Sequence, residues 1–596
     1  MIGVLESLAR RAGRRSLLFG LALVAGAGAC GGPPTDMGPT ATAARCASGT
    51  VDGPRMVFDL SADQLVGGDG VLRGGRITDR SMNVTRVVPL APGRYRLEAW
   101  ASSMTDGAGL FLRVGDADIG VMAIEPGPGL PQSAEFDVAT WGDQVIRLSA
   151  VGVGKTRDVT FTSLRLTQLA GPTPDERAAH LREAVKGSNI VLVSLDTLRA
   201  DHLSSYGYHR HTSPRLDALA KSGVRFANAA AASHWTAPSH ATLLTGLTPG
   251  QHRVETYPDV EKLGEGVETL AEVLAEAGFE TAAFVGGSFV SRNLGMAQGF
   301  DAWREEHVRA ETRFAEAAYW LSNRESNSPF FLFVHTFQIH SPYDPPAHWG
   351  RIYAPDFVED PEVDLRNIDL VDEQARELTR EQLHFIEALY DGEIHYTDHE
   401  FRKLLEPLAE IEDRTLIVVT SDHGEEFLEH GRLSHSQLFG EVVRVPLILH
   451  HGALEGAAVP VVSQPVAAVD VVPTVLDLVG IAPPSGLLGS SVVPAMAGDC
   501  DPEAVAFSRS KPGGALWTSA LDETGHFLEA DGVRYLFRQP DDRDERRNIA
   551  GEEPKVTAAY RAGIEAWTAQ ELPMSEGERA EPPSVEQLKA LGYLGY

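Results

Sequence analysis

Three apolar runs, each ending on a chemically active residue, constrain this chain more than anything else in it: "NIVLVSLD" at 189–196, "FFLFVHTFQIH" at 330–340 and "TLIVVTSDH" at 415–423. Strands this uniformly apolar are covered on both faces, which is the condition of a mostly parallel sheet flanked by helices. "ETLAEVLAEAGFETAAFVGG" alternates a helical with an extended pattern and "VRVPLILHHG" adds a further strand, as a doubly wound α/β domain requires. Ligands of such sheets sit outside the carboxyl ends of the strands. Asp196, His340, and Asp422 with His423 are therefore expected along one edge.

"SHWTAPSHATLLTG" at 233–246 places a hydroxyl, Thr236, ahead of a short apolar helix. Alone, Thr236 reads as a helix cap. Beside converging carboxylates and imidazoles it reads as a nucleophile: a bound metal lowers the hydroxyl's pKa, and the helix N-terminus favours an anionic group.

Around this core the chain divides further. A basic region (Arg10, Arg11, Arg14, Arg15) and the apolar run "SLLFGLALVAGAGAC" make residues 1–29 a signal peptide ahead of Cys30, with small residues before the cysteine as in a bacterial lipoprotein. That reading exports the protein and anchors it to the cell envelope through lipid on Cys30. Residues 30–48 are a tether by composition. Period-2 runs broken by Gly, Pro and Asp make 49–170 an antiparallel β-sandwich, jelly-roll-like, either a glycan binder with Trp100 and Trp141 as platforms or a spacer. Residues 171–187 form a linking helix, 188–495 the catalytic domain, and 496–596 a small α+β subdomain. Cys46 and Cys500 are candidates for a bridge in an exported chain. Against 52 Lys and Arg stand 83 Asp and Glu, a net charge of -31, which excludes nucleic acid as a partner.

"NIVLVSLDTLRADHLSSYGY", "TAPSHATLLTG", "HTFQIHSPY", "SDHGEEFLEHGRLSH", "VRVPLIL" and, near the end, "YLFRQPDDRDERRNIA" occur in an order and spacing that resemble the sulfatase family of the alkaline-phosphatase-like superfamily. The resemblance implies that fold, with a small carboxyl-terminal subdomain, and ester hydrolysis. It also marks departures. Sulfatases carry a cysteine or serine, converted to formylglycine, where this chain has Thr236, and threonine cannot give that aldehyde. The family's Asp-Asp pair is Asp196-Thr197, its Asp-Asn pair is Asp422-His423, its arginine after the nucleophile is His240 and its lysine is His435. The set Asp196, Thr236, Asp422 and His423 resembles the single-metal site of phosphoethanolamine transferases and is related to that of nucleotide pyrophosphatase/phosphodiesterases, both of which use a threonine nucleophile. An O/N set of this kind suits zinc or manganese over calcium.

The expected chemistry is attack by Thr236 on an anionic phosphate, phosphonate or sulfate ester, carried on a glycan or a lipid headgroup, with a covalent intermediate resolved by water. His340 and His435 protonate the leaving group or hold the non-bridging oxygens, and His240 orients the nucleophile loop. For His335 a strand-end core role stays open. Asp201 and His202 read as loop anchors, and Glu425, Glu426 and His430 as hydrogen-bonding groups at a helix start. A true sulfatase, a phosphoryl transferase and a catalytically idle surface-binding protein are the alternatives.

Overall fold

The structure is a computed structural model that describes residues 55–590 except for short connecting segments, most of them in the amino-terminal domain. The signal peptide, Cys30, the tether, Cys46 and Trp141 lie outside the described residues.

Residues 55–170 form two antiparallel sheets. Alternation does what it promises: Tyr95, Leu97 and Ala99 on one strand are buried while Arg96 and Glu98 between them are more exposed, and Ile146 and Leu148 are buried two residues apart on another. Trp100 is half-buried beneath the Arg165 guanidinium, 5.0 Å from its ring centroid. A helix, Pro174–Val185, follows; Thr173 and Glu176 close a capping box at its start. Leu181 and Val185 bury against the catalytic core, and Arg182 grips Asp477 at 2.7 and 3.0 Å.

The catalytic sheet has eight strands: β1 Asn189–Leu195, β2 Val224–Phe226, β3 Glu280–Val285, β4 Ala302–Glu305, β5 Phe330–Thr336, β6 Thr415–Thr420, β7 Leu447–His450 and β8 Val461–Val462. Their order is β4-β3-β5-β1-β6-β7-β2-β8. The first five of that order run parallel; β7 is antiparallel to both β6 and β2. The two faces fill separate cores. Ile190, Leu192, Phe331, Phe333, Leu416 and Val418 pack on one side with the helix Thr236–Thr245, whereas Val191, Val193, Leu332, Val334, Ile417 and Val419 pack on the other with the long helix Arg380–Leu408. Among the described residues the acidic stretch before that long helix includes the short helices Ala347–Gly350 and Ile368–Glu373.

The carboxyl-terminal sheet takes its edge strand, Thr256–Tyr257, from the catalytic domain and continues through Ala506–Pro512, Trp517–Leu521, Gly525–Ala530 and Val533–Arg538. Helix Pro554–Thr568 covers it through Tyr560 and Ile564. Cys500, just before this sheet, is disulfide-bonded.

A buried charge cluster joins the two units. Glu545 accepts from Gly440 N at 2.8 Å and pairs with Arg444 at 2.9 Å and His526 at 2.7 Å. Burial opposes its charge, but His526 and Arg444 pull it down to about 2. His430 bonds the Glu441 carboxylate at 2.6 Å and the Glu545 carbonyl at 3.1 Å, two acceptors that together require the imidazolium. Burial again opposes the charge, yet Glu441 holds His430 up at about 9. A raised histidine stabilises the fold fully below its unfolded pKa of about 6.5 and loses that stabilisation as pH rises through the folded value. The melting-temperature difference between wild type and His430→Gln should therefore be constant at acid pH and shrink across the window up to about 9. A difference that stays constant through alkaline pH would contradict this.

Candidate active site

Register sets the site. β1 lies between β5 and β6 with Ser194 paired to both His335 and Thr420, so the carboxyl ends of the three strands are level. Ser194 and Asp196 continue the face of Ile190 and Leu192, and His335 continues that of Phe331 and Phe333. The pleat therefore turns these polar groups toward the helix Thr236–Thr245 once the apolar residues stop. Asp422 and His423 follow β6 by two and three residues.

Thr236 is the first residue of its helix; Trp235 holds the capping position, with no side-chain cap bond. The hydroxyl therefore does not cap. It points to His423, with Oγ1 3.4 Å from Nε2. The helix N-terminus, free of a side-chain cap, presents its backbone N–H groups and dipole to an anion.

Five imidazoles crowd the site, and their hydrogen bonds sort them into two kinds. His335 Nδ1 accepts from Gly286 N at 3.1 Å, which leaves its Nε2–H to donate to Asp196 Oδ2 at 3.0 Å. His240 donates from Nδ1 to the Thr236 carbonyl at 2.9 Å, and its Nε2 accepts from Ser194 Oγ at 3.0 Å. Both rings are spent on orienting others: His335 aims a carboxylate, and His240 ties the Thr236 turn to β1. By contrast His423, His340 and His435 each give Nδ1–H to a backbone carbonyl, of Gly424 (3.0 Å), Ser341 (2.5 Å) and His234 (3.0 Å). The Nε2 of His423 faces Thr236, and those of His340 and His435 lie 3.3 Å from each other.

His423 Nε2 lies 3.3 Å from Asp422 Oδ2 and 3.8 Å from Asp196 Oδ1. Those two carboxylate oxygens are buried and have no hydrogen-bond partner. Burial, reinforced by the charge of Asp422, pushes the Asp196 carboxyl well above the usual range; burial also raises Asp422 and lowers His423. Sealed carboxylates with no protein counter-charge are unfavourable unless a cation neutralises them. The donor set of Asp196, Thr236, Asp422 and His423 thus fits a divalent ion, and its edges of 3.3 to 3.8 Å suit ligands on one metal.

Thr197 sits at φ 57°, strained for a β-branched residue. Its backbone is held from both sides: Thr197 N donates to Asp422 Oδ1 at 3.3 Å, and Tyr390 OH donates to its carbonyl at 2.7 Å. This bend turns Asp196 toward the ligand cluster. Asp201 and His202 are anchors nearby, Asp201 on Arg199 at 2.8 Å and His202 on Asp391 at 2.7 Å. No helix begins at Glu425–His430, contrary to the sequence expectation. The chain makes a tight two-stranded turn, Glu426–Phe427 against Leu433–Ser434, and Glu426 ties it down through Ser436 N (2.7 Å) and Gln437 Nε2 (2.6 Å). Glu425 accepts from Tyr343 OH at 2.9 Å. Sequence reading missed Ser194, His234 and Tyr390. Only Ser194 carried a signal, two residues before Asp196 on the same face.

The sulfatase family model matches residues 188–481. Mouse (Mus musculus) arylsulfatase K is 23% identical over 452 residues, 65% of this chain and 80% of that protein. Among solved structures, the phosphonate monoester hydrolase of Agrobacterium radiobacter aligns with a TM-score of 0.54 at 21% identity, over 65% of this chain and 96% of that one. A structure in complex with its substrate D-glucosamine-2-N,6-O-disulfate also aligns at TM-score 0.54 and 20% identity, over 65% of this chain and 98% of that one. Through residues 188–481 the chain belongs to the sulfatase family of the alkaline-phosphatase-like superfamily and is an ester hydrolase of that family.

Proposed function

We propose that the protein is a metal-dependent hydrolase that cleaves phosphate, phosphonate or sulfate esters through a covalent intermediate on Thr236. The observation that carries this reading is the meeting of Thr236 Oγ1 with His423 Nε2 at 3.4 Å, beside two buried carboxylate oxygens that lack a partner. Asp196, Thr236, Asp422 and His423 would hold a divalent ion, which would supply positive charge for the anionic ester and lower the pKa of the hydroxyl. An imidazole nitrogen among the donors suits zinc or manganese over calcium.

Thr236 Oγ1 bonds to phosphorus or sulfur as the bond to the leaving oxygen breaks in line. The proton lost from the hydroxyl balances the one the leaving oxygen gains. Water then attacks the same atom, giving one hydrogen back to Thr236 and releasing the acid. The helix N-terminus faces the developing charge, while His240 and His335 hold the nucleophile's turn and the Asp196 carboxylate in place. His340 and His435 face the non-bridging or leaving oxygens. A phosphonate monoester and a sulfated glucosamine, named for two structural relatives, are both anionic esters, which supports the substrate class.

We also propose that the protein is exported and held at the cell envelope by lipid on Cys30; no helix among the described residues is long and apolar enough to cross a membrane. Cys30→Ala should then move the protein from the detergent to the aqueous phase on partitioning, and an unchanged partition would remove the anchor.

For the site, Thr236→Ala should lower turnover of aryl phosphate, phosphonate and sulfate test esters by at least about a thousandfold. Its melting temperature should stay close to wild type, because losing one methyl and one hydroxyl costs only about 1 kcal/mol. If the variant keeps more than about a tenth of wild-type turnover, a barrier change under about 1.4 kcal/mol, Thr236 is not the nucleophile.

A further inference from the structure

His307 is an imidazole that the chemistry at Thr236 does not use. It follows β4 by two residues, as Asp422 follows β6. The carboxyl ends of β4, β3 and β5 are level: Val285 of β3 pairs with Glu305, and Phe284 before it pairs with Val334, the neighbour of His335. His307 therefore stands on the same ligand-binding edge of the sheet as His335 and His340, two strands along from β5.

That edge is built around it. The His307 ring stacks on Phe337 with centroids 6.1 Å apart, and Phe337 in turn meets His335 at 4.6 Å and His340 at 5.8 Å. A Cβ on Gly286, at the end of β3, would lie 2.4 Å from the Phe337 ring, so a glycine there lets that ring settle against the strand end. At Gly287, with φ 82°, a Cβ would meet nothing within 4 Å. The strand between β4 and β5 thus ends in open space with no side chain to fill it.

The loop carrying His307 is clamped to the loop carrying His340. Arg309 pairs with the Asp344 carboxylate at 2.7 Å and donates to its carbonyl at 3.1 Å, Ala310 N donates to Gln338 Oε1 at 2.9 Å, and the buried Arg313 donates to the Glu306 carbonyl. Amid these ties His307 is exposed and makes no hydrogen bond among the described residues. A ring held in place with both nitrogens unused is preorganised for a ligand. Partial desolvation lowers its pKa, with His340 and Arg313 adding to the effect, so at neutral pH the ring is neutral and offers one N–H and one acceptor nitrogen. A hydroxyl, itself donor and acceptor, matches that pair; a second anionic group does not.

We propose that His307 is a specificity-determining residue that hydrogen-bonds a hydroxyl of the ester's leaving alcohol, so that the enzyme selects esters of polyhydroxylated, sugar-like alcohols. The proposal deepens the ester-hydrolase reading and rests on it for the departure of the leaving group beside His340. It does not depend on which acid is transferred.

The test compares kcat/KM of full-length wild type, His307→Phe and His307→Gln on two classes of ester: 4-nitrophenyl phosphate and sulfate, and the 6-phosphates and 6-sulfates of glucose and N-acetylglucosamine. His307→Phe keeps a ring on Phe337 and removes both polar nitrogens. It should lower kcat/KM on the sugar esters at least about tenfold more than on the aryl esters, roughly the worth of one hydrogen bond. His307→Gln restores a donor and an acceptor and should recover part of that difference. Both variants should melt with wild type, since the side chain is exposed. A loss shared equally by the two classes, or no loss on the sugar esters, overturns the proposal, as does a wild type that cleaves aryl esters and none of the sugar esters. The Thr236 reading survives each of those results, because Thr236→Ala is scored on the aryl esters. No cleavage of either class overturns both.

Discussion

The arrangement of the catalytic domain turns on two carboxylates, Asp196 and Asp422, sealed from water at the ends of neighbouring strands with one oxygen of each left unpartnered. Isolated in an apolar interior, such a pair destabilises the fold or stays protonated, since burial penalises the charged form and each charge penalises the other. A cation between them reverses the sign of both effects. The surrounding structure engages the other oxygens: His335 bonds the far oxygen of Asp196, Thr197 N the far oxygen of Asp422, and His423 stands 3.8 and 3.3 Å from the near ones.

Precision at the site comes from the sheet and not from loops. β1, β5 and β6 are level at their ends, so a one-residue shift of any of them would turn its polar residue into the opposite core. The alternation that buries Leu192 and Phe333 also presents Ser194 and His335 to the helix Thr236–Thr245. The carboxyl-terminal subdomain extends this support. Arg509 N bonds the Ala232 carbonyl at 2.9 Å, Ser508 Oγ the Ala231 carbonyl at 2.7 Å and Ser510 Oγ the His234 ring at 3.1 Å, which fixes the segment leading into Thr236 and thereby the carbonyl that orients His435.

Much of this was legible in the sequence, for a physical reason. A strand buried on both faces must be uniformly apolar, so a carboxylate or imidazole at its end stands out, and Asp196, His340, Asp422 and His423 were found that way. What depended on three-dimensional pairing was not legible. The partners of His335 and His435 are backbone groups distant in sequence, Gly286 N and the His234 carbonyl, so nothing local marks what these two rings bond. The Glu425–His430 segment misled because acidic residues before apolar ones resemble a helix start, whereas Glu426 is bound to the chain ten residues on. Nor could the sequence decide whether Thr236 caps its helix, because that depends on whether the helix starts at Thr236 or just after it.

The most direct measurement of the central claim is mass spectrometry of enzyme quenched in acid during turnover of a phosphonate or sulfate ester, followed by digestion. The account predicts that the peptide containing Trp235-Thr236-Ala237-Pro238 carries the mass of the transferred group on Thr236, and that the adduct disappears once the ester is exhausted. Full turnover with that peptide unmodified at every time point, or an adduct on another residue, would contradict it.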